Sequence, residues 1–436
     1  MIMSERFSYP AQYYEKCREL LEFALKKVPL YRGWAKFDPG PGATLDERFD
    51  ALPHLDKAAM RRSFPRGLMP EGMDLGQGLS SGEIEYTFTS GTTSEKVTNI
   101  WNQDWWSRSE AASWQLSGAL RGLRYPQRQA KLASSLNVGI SCEEDLPMSH
   151  RILGDTLYLN EKTSVLQWQP RHYERMAKEL NEYRPAVLEA NPSLLARLCW
   201  WALDCGAEIA PPKVIVFTYE FPSAIHLSAI RQVFSSPFVR SYGSTETGFV
   251  LEQCSDGLMH QNTDFCRIDF IPLARRFGDP DLGSIVVSTF GNPWNCIVRF
   301  EVGDLVRLHR DGNCGCGLTQ GLTADCIEGR TANLTFTPEG DIVTTKKLDD
   351  SLAAAGVLRD YVLRQTDRKH YRIEAVTPPQ KNKKIAREAI YNALQNVYGN
   401  GGIFDIVFRD CLLPGPAGKF RRTQADFSFD ERGLFA

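Results

Sequence analysis

Between Tyr86 and Lys96 the chain reads YTFTSGTTSEK. Thr89, Ser90, Gly91, Thr92 and Thr93 put four hydroxyls and one glycine in five consecutive positions. Backbone N–H groups bared by such a turn, together with side-chain hydroxyls, suit the oxygens of a polyphosphate. The same composition also describes an ordinary surface turn, so the stretch alone does not choose between the two. A second constellation is Cys254 and His260 in CSDGLMH with Cys314 and Cys316 in NCGCG. Three thiols and one imidazole in two pairs are the ligand set of a closed structural zinc site. The alternative is three buried thiols and a loop histidine, and Cys266 and Cys326 are available as substitutes. His54, His150, His172, His226, His309 and His370 show neither nucleophile nor metal spacing and read as structural.

Three later stretches follow the hydroxyl-rich loop in fixed order: SYGSTETG at 241 to 248, VRFEVGDL at 298 to 305 and GPAGKFRR at 415 to 422. Together the four resemble the motif series of the adenylate-forming ligases (acyl-CoA synthetases, adenylation domains and luciferases), in particular the phenylacetate–CoA ligase-like branch. KVPLYR and LPHLDK extend the resemblance over nearly the whole sequence. It implies that Thr89 to Thr93 cradle ATP phosphates and that Glu246 ligates Mg²⁺ as a hard carboxylate oxygen. By the same resemblance Tyr242 and Gly243 line the adenine side, with Tyr219 and Glu220 at the same pocket. Thr245 would hydrogen-bond the α-phosphate, Asp304 would hold the ribose hydroxyls, and Lys419 would bridge carboxylate and α-phosphate oxygens. Gly329-Arg330 matches the hinge about which the small domain turns. Some members of the branch have a similar Cys/His arrangement, and the branch implies a homodimer.

Departures from the pattern bear on turnover. Ser94, Glu95 and Lys96 stand where the phosphate loop usually continues with glycine, lysine and proline. A glutamate about 4 Å from the triphosphate costs roughly 1 to 4 kcal/mol in solvated surroundings unless it points away, and Lys96 offers a compensating charge. Tyr219 replaces a small residue; it either stacks on adenine or narrows the pocket. Glu301 and Val302 replace arginine and threonine, and no acidic residue follows the Gly329-Arg330 pair. The implied activity is ATP-dependent activation of a small-molecule carboxylic acid, of the aromatic class by resemblance, followed by transfer to CoA. The alternatives are another acceptor, such as a carrier-protein thiol in specialised biosynthesis, or a degenerate binder of nucleotide or acyl ligand. Retention of Glu246, Asp304 and Lys419, useful only together, favours chemistry.

The elements that must hold these residues follow from periodicity. Apolar positions at Tyr13, Cys17, Leu20, Leu21, Ala24 and Leu25 predict an amphipathic helix ending near Lys27, and residues 52 to 65 predict another. Trp101, Trp105, Trp106 and Trp114 are placed on one helix and read as core or interface rather than a substrate box. From residue 170, helices at Pro170–Tyr183, 193–205 and 223–234 alternate with strands AVLEA, KVIVFT and FVRSYG, which argues for a parallel sheet covered by helices. In such sheets ligands gather at the carboxyl ends of strands, here Asn191 to Ser193, Thr218 to Glu220 and Gly243 to Glu246. Residues 283–308 alternate with period two, as antiparallel strands do. HYRIEAV, a helix through Ala386, Ile390 and Leu394, and FDIVF form a separate small unit.

The expected fold is therefore α/β. A large N-terminal domain, residues 1–328, has a parallel βα sheet and a small β-rich subdomain; a small mobile α+β domain, residues 329–436, carries Lys419. A chain of 436 residues has room for two or three domains. Its net charge of −2 gives no support to nucleic-acid binding, and no stretch has the length and apolarity of a membrane span or signal core. Eleven cysteines without a regular framework read as reduced cytoplasmic thiols.

Overall fold

The structure is a computed structural model that describes residues 6–88, 97–123, 127–135, 142–310, 314–415 and 419–435. Thr89, Ser90, Gly91, Thr92, Thr93 and the following Ser94, Glu95 and Lys96 lie outside the described residues. The chain divides into two compact units: Met1–Gly122 with Ser241–Cys326 and Phe435–Ala436, and Leu123–Arg240 with Ile327–Leu434.

In the first unit the opening helix Ala11–Lys27 buries Tyr13, Cys17, Leu20, Leu21 and Ala24 along one face and ends on Lys26 and Lys27, which complement its dipole. The second expected helix is shorter, Lys57–Ser63, because Asp56 caps it by accepting from Ala59 N. Trp101 is not helical. It lies on the strand Thr98–Asn102, which pairs antiparallel with Ile84–Phe88. The helix that follows, Gln103–Trp114, starts where the Asn102 side chain accepts from Trp105 N. Trp105 is core and donates its indole N–H to Phe290 O at 2.7 Å. The strands Leu282–Thr289 and Phe300–Leu308 are antiparallel, as their alternation predicts, and Cys266–Pro272 extends them antiparallel on the other edge.

In the second unit the strands Thr156–Tyr158, Gln129–Leu132, Val187–Ala190, Val214–Phe217 and the start of Phe238–Ser244 run parallel in that spatial order. Ala130, Leu132, Leu188, Ala190, Ile215 and Phe217 pack against Met176, Leu180, Leu194, Leu195 and Leu198 of the helices Pro170–Tyr183 and Pro192–Cys205. The expected helix–strand alternation is met element by element. The C-terminal part is α+β: strands in the order Ile403–Phe408, His370–Val376, Asp360–Gln365 and Thr423–Ala425, with helices Thr345–Ala354 and Lys383–Tyr398. Its core of Leu348, Leu352, Tyr361, Leu363, Ile373, Ile390 and Leu394 also takes in Ile225 of the helix Ala224–Val233. Among the described residues, no helix is long and apolar enough to cross a membrane.

Candidate active site and metal centre

In the first unit, SYGSTETG folds into a tight hairpin in which Ser244 faces Gly248 and Gly243 faces Phe249. Gly243 has no alternative here, since a Cβ would sit 2.1 Å from Gly248 O. Thr247 closes the turn: its N–H donates to Ser244 O at 3.1 Å and its hydroxyl accepts from Ser244 N at 3.2 Å. Thr245 and Glu246 are thereby held at the hairpin tip, Thr245 half-buried and Glu246 only 5 % exposed. Tyr242, at the hairpin base, donates its phenolic O–H to Asp304 Oδ2 at 3.0 Å. Two motifs 62 residues apart thus meet side chain to side chain.

The Cys/His set also meets. The ligand atoms of Cys254, His260, Cys314 and Cys316 all lie within 4.8 Å of one another. Cys254 Sγ and Cys314 Sγ are 3.5 Å apart, and Cys316 Sγ is 3.4 Å from His260 Nε2. Tetrahedral zinc with bonds of about 2.3 Å to sulfur sets ligand–ligand edges of about 3.8 Å, so the cluster has the size and donor chemistry of a closed zinc site. Sheet pairing brings the two pairs together, since His260 faces Thr323 in register between Met259–Gln261 and Thr323–Arg330. The Thr323 hydroxyl lies 3.4 Å from His260 Nδ1 and leaves Nε2 for the cluster. Cys266 is buried elsewhere, its thiol directed at Asn262 O, and Cys326 is not in the group.

In the second unit, Thr218-Tyr219-Glu220 is a γ-turn at the carboxyl end of Val214–Phe217: Glu220 N donates to Thr218 O at 2.9 Å and Tyr219 has φ 75°. The turn carries the Tyr219 phenol back to Glu189, to whose Oε1 it donates at 2.6 Å. Glu189 Oε2 is paired with Lys131 at 2.8 Å, directly across the strands in register. Burial opposes the Glu189 charge, but the Lys131 ammonium and the donors around it outweigh burial and hold the carboxyl below its ordinary range. Glu220 accepts Ser193 N with Oε1 at 3.1 Å and Phe420 N with Oε2 at 3.2 Å. Lys419 is half-buried, and its carbonyl accepts Gly415 N at 3.0 Å. Arg330 ends the strand Thr323–Arg330 half-buried, and Gly329 within it has φ 116°. Just beyond, Ala332 O and Asn333 Oδ1 accept Arg421 at 2.6 and 3.0 Å.

Lys131 and Glu189 were not among the residues picked out from the sequence. The signal is at Glu189, a charge inside the apolar run AVLEA of a sheet covered by helices, whereas Lys131 in QAKL has no apolar run around it.

No protein-family model matches the chain, and no curated protein matches it. Solved structures do. 2-Hydroxyisobutyryl-CoA ligase in the postadenylation state, in complex with R3-HIB-AMP, superposes with a TM-score of 0.72 at 17 % identity, over 97 % of this chain and 92 % of that one. A benzoate CoA ligase from Burkholderia xenovorans LB400 gives 0.54 at 14 % identity, over 81 % and 69 %. The anthranilate CoA ligase AuaEII in complex with anthranoyl-AMP gives 0.50 at 13 %, over 77 % and 65 %. The chain has the fold of the adenylate-forming ligases.

Proposed function

We propose that this protein activates a carboxylic acid with ATP and passes the acyl group to CoA. The observation that carries the proposal is the Tyr242–Asp304 hydrogen bond at the base of the hairpin that holds Glu246. It joins side chain to side chain the two residues that the resemblance assigns to the adenine side and the ribose. In the first step a carboxylate oxygen of the substrate attacks the α-phosphorus, the bond to pyrophosphate breaks, and acyl-AMP forms. In the second, the CoA thiolate attacks the acyl carbonyl and AMP leaves. Asp304 would accept the ribose hydroxyls and Thr245 would donate to the α-phosphate. Lys419 would hold carboxylate and phosphate oxygens together, an electrostatic contribution made as charge develops. The residues present fit Mg²⁺ through Glu246, a hard oxygen donor fixed on a closed turn; the ion supplies charge neutralisation for the triphosphate.

The resemblance supports an aromatic acid, as do the benzoate and anthranilate ligases among the structural neighbours; 2-hydroxyisobutyryl-CoA ligase speaks for a small aliphatic one. Residues 329–436 would turn about Gly329-Arg330 between the two steps. Cys254, His260, Cys314 and Cys316 would hold a structural zinc ion.

ATP–pyrophosphate exchange with a panel of aromatic and 2-hydroxy acids tests the proposal. Exchange should depend on one class of acid and fall at least ~100-fold in Lys419→Ala. Exchange unaffected by that substitution, or absent with every acid despite ATP binding, would overturn it. CoA added to the accepted acid then decides the acceptor.

A further inference from the structure

Glu220 sits where the resemblance implies an adenine contact, yet its carboxylate spans two backbone amides 227 positions apart in the chain. One is Ser193 N, in the first turn of the fourteen-residue helix Pro192–Cys205, which Asn191 Oδ1 also accepts at 3.0 Å. The other is Phe420 N, the amide next to Lys419. The helix end favours a negative charge at this place, and the γ-turn at Tyr219, pinned through Glu189, fixes the direction from which the carboxylate arrives. The rest of Phe420 is equally constrained. Its ring has the Arg197 guanidinium 5.5 Å from its centroid and the Arg422 guanidinium 5.5 Å from it. Arg197 donates to Leu412 O. Arg422 is buried against Asp360 at 2.9 Å and His226 at 2.9 Å. The lysine's carbonyl therefore accepts Gly415 N, and the residue after the lysine is held by backbone and ring.

We propose that Glu220 is the positioning residue for Lys419: a two-pronged acceptor that fixes the lysine's backbone against the end of the helix Pro192–Cys205. The assignment rests on Lys419 being the adenylation lysine, and it gives Glu220 a duty separate from nucleotide affinity. Glu220→Gln keeps the size of the side chain but offers one acceptor oxygen in place of two and turns an N–H group on the second amide.

The test uses the full chain as wild type, Glu220→Gln, Lys419→Ala and the double variant, with two readouts. The first is steady-state ATP–pyrophosphate exchange with the accepted acid. The second is hydrogen exchange at the Phe420 amide. Glu220→Gln should lower the exchange kcat at least ~10-fold, the scale of a lost hydrogen bond to a charged group, with the KM for ATP within ~2-fold of wild type. It should deprotect the Phe420 amide by ~10-fold or more. In the Lys419→Ala background it should remove less than a further ~2-fold, since it acts through the lysine. A raised KM for ATP at unchanged kcat would assign Glu220 to the adenine side and overturn the inference. Losses that multiply in the double variant would overturn it as well, as would a Phe420 amide unchanged in Glu220→Gln. If the wild type exchanges nothing, the adenylation proposal fails by itself, and the Phe420 amide still decides whether the clamp exists.

Discussion

Burial, with the Arg422 guanidinium beside it, holds the His226 imidazole below the ordinary histidine value of 6.5. Asp360, on Nε2 at 3.3 Å, and Glu220 pull the other way without reversing it. The folded chain therefore binds this proton less well than the unfolded chain, so stability is lost as pH falls below 6.5 toward the lower folded value. Asp360 is held below its own ordinary value, against burial, by Arg422 and His226; its share of stability is lost only in the lower window below 3.8. His226→Asn should flatten the fall in the urea midpoint between ~pH 7.5 and ~pH 5.5. An unchanged slope would mean that another group titrates there. At this scale the sequence was informative about residue types and silent about partners. Glu246, Asp304 and Lys419 stood out because their motifs surround them with glycines and hydroxyls. Glu220's hold on Phe420 crosses 200 positions, and no local pattern encodes that.

Elements bring the thiols and the imidazole together. Cys254 follows the strand Gly248–Gln253, His260 lies on Met259–Gln261, and the Cys314–Cys316 loop precedes Thr323–Arg330, which pairs with the histidine strand. Zinc at this point would tie one hairpin to the next strand, so its removal is a loss of sheet closure rather than of activity as such. The purified protein should contain one zinc per chain by elemental mass spectrometry. A strong chelator should then destabilise the chain by ~3 kcal/mol or more, the linkage expected of a site bound well above its dissociation constant. Cys316→Ser should lose the metal, whereas Cys266→Ser, outside the cluster, should keep it; metal retained in Cys316→Ser would refute the ligand set. The ligand types were legible in the sequence although the C-x5-H and C-x-C spacings are loose, because the strand register rather than the spacing sets the geometry. Trp101 illustrates the opposite failure. Four tryptophans in fourteen residues suggested one helix, but Asn102 caps the helix after Trp101 and leaves that residue on a strand. Asp360–Gln365 buries Tyr361, Leu363 and Gln365 on alternate positions, a period-two pattern that the apolar Val362 between them and the polar Gln365 hide in the sequence.

The second unit is assembled from chain segments 123–240 and 327–434, and the seam between them is polar as well as apolar. Asp349, fully buried on the helix Thr345–Ala354, accepts Ser223 Oγ at 2.6 Å, Ala224 N at 2.6 Å and Tyr361 Oη at 3.0 Å. Ser223, at the N-cap position of Ala224–Val233, does not cap its own helix; the cap comes from the other segment. Ile225, the second residue of that helix, belongs to the C-terminal core. Movement of residues 329–436, which the proposed second step needs, would uncap a helix and expose a buried carboxylate together, and so would be a discrete event and not a gradual one. Asp349→Ala strands two buried donors, Ser223 Oγ and Tyr361 Oη, and the half-buried Ala224 N, at about 1–3 kcal/mol each where they cannot reach water, and should destabilise the unit by ~3 kcal/mol or more. Asp349→Asn keeps one acceptor and should lose about half as much. For a unit of this size each kcal/mol corresponds to about 2–4 °C in Tm, so calorimetry separates the two variants. If the segments fold as one body, the calorimetric transition of the second unit moves as a single peak in both. Splitting of that peak in Asp349→Ala, with residues 327–434 melting first, would show instead that the C-terminal part keeps its own core and needs the seam only for docking.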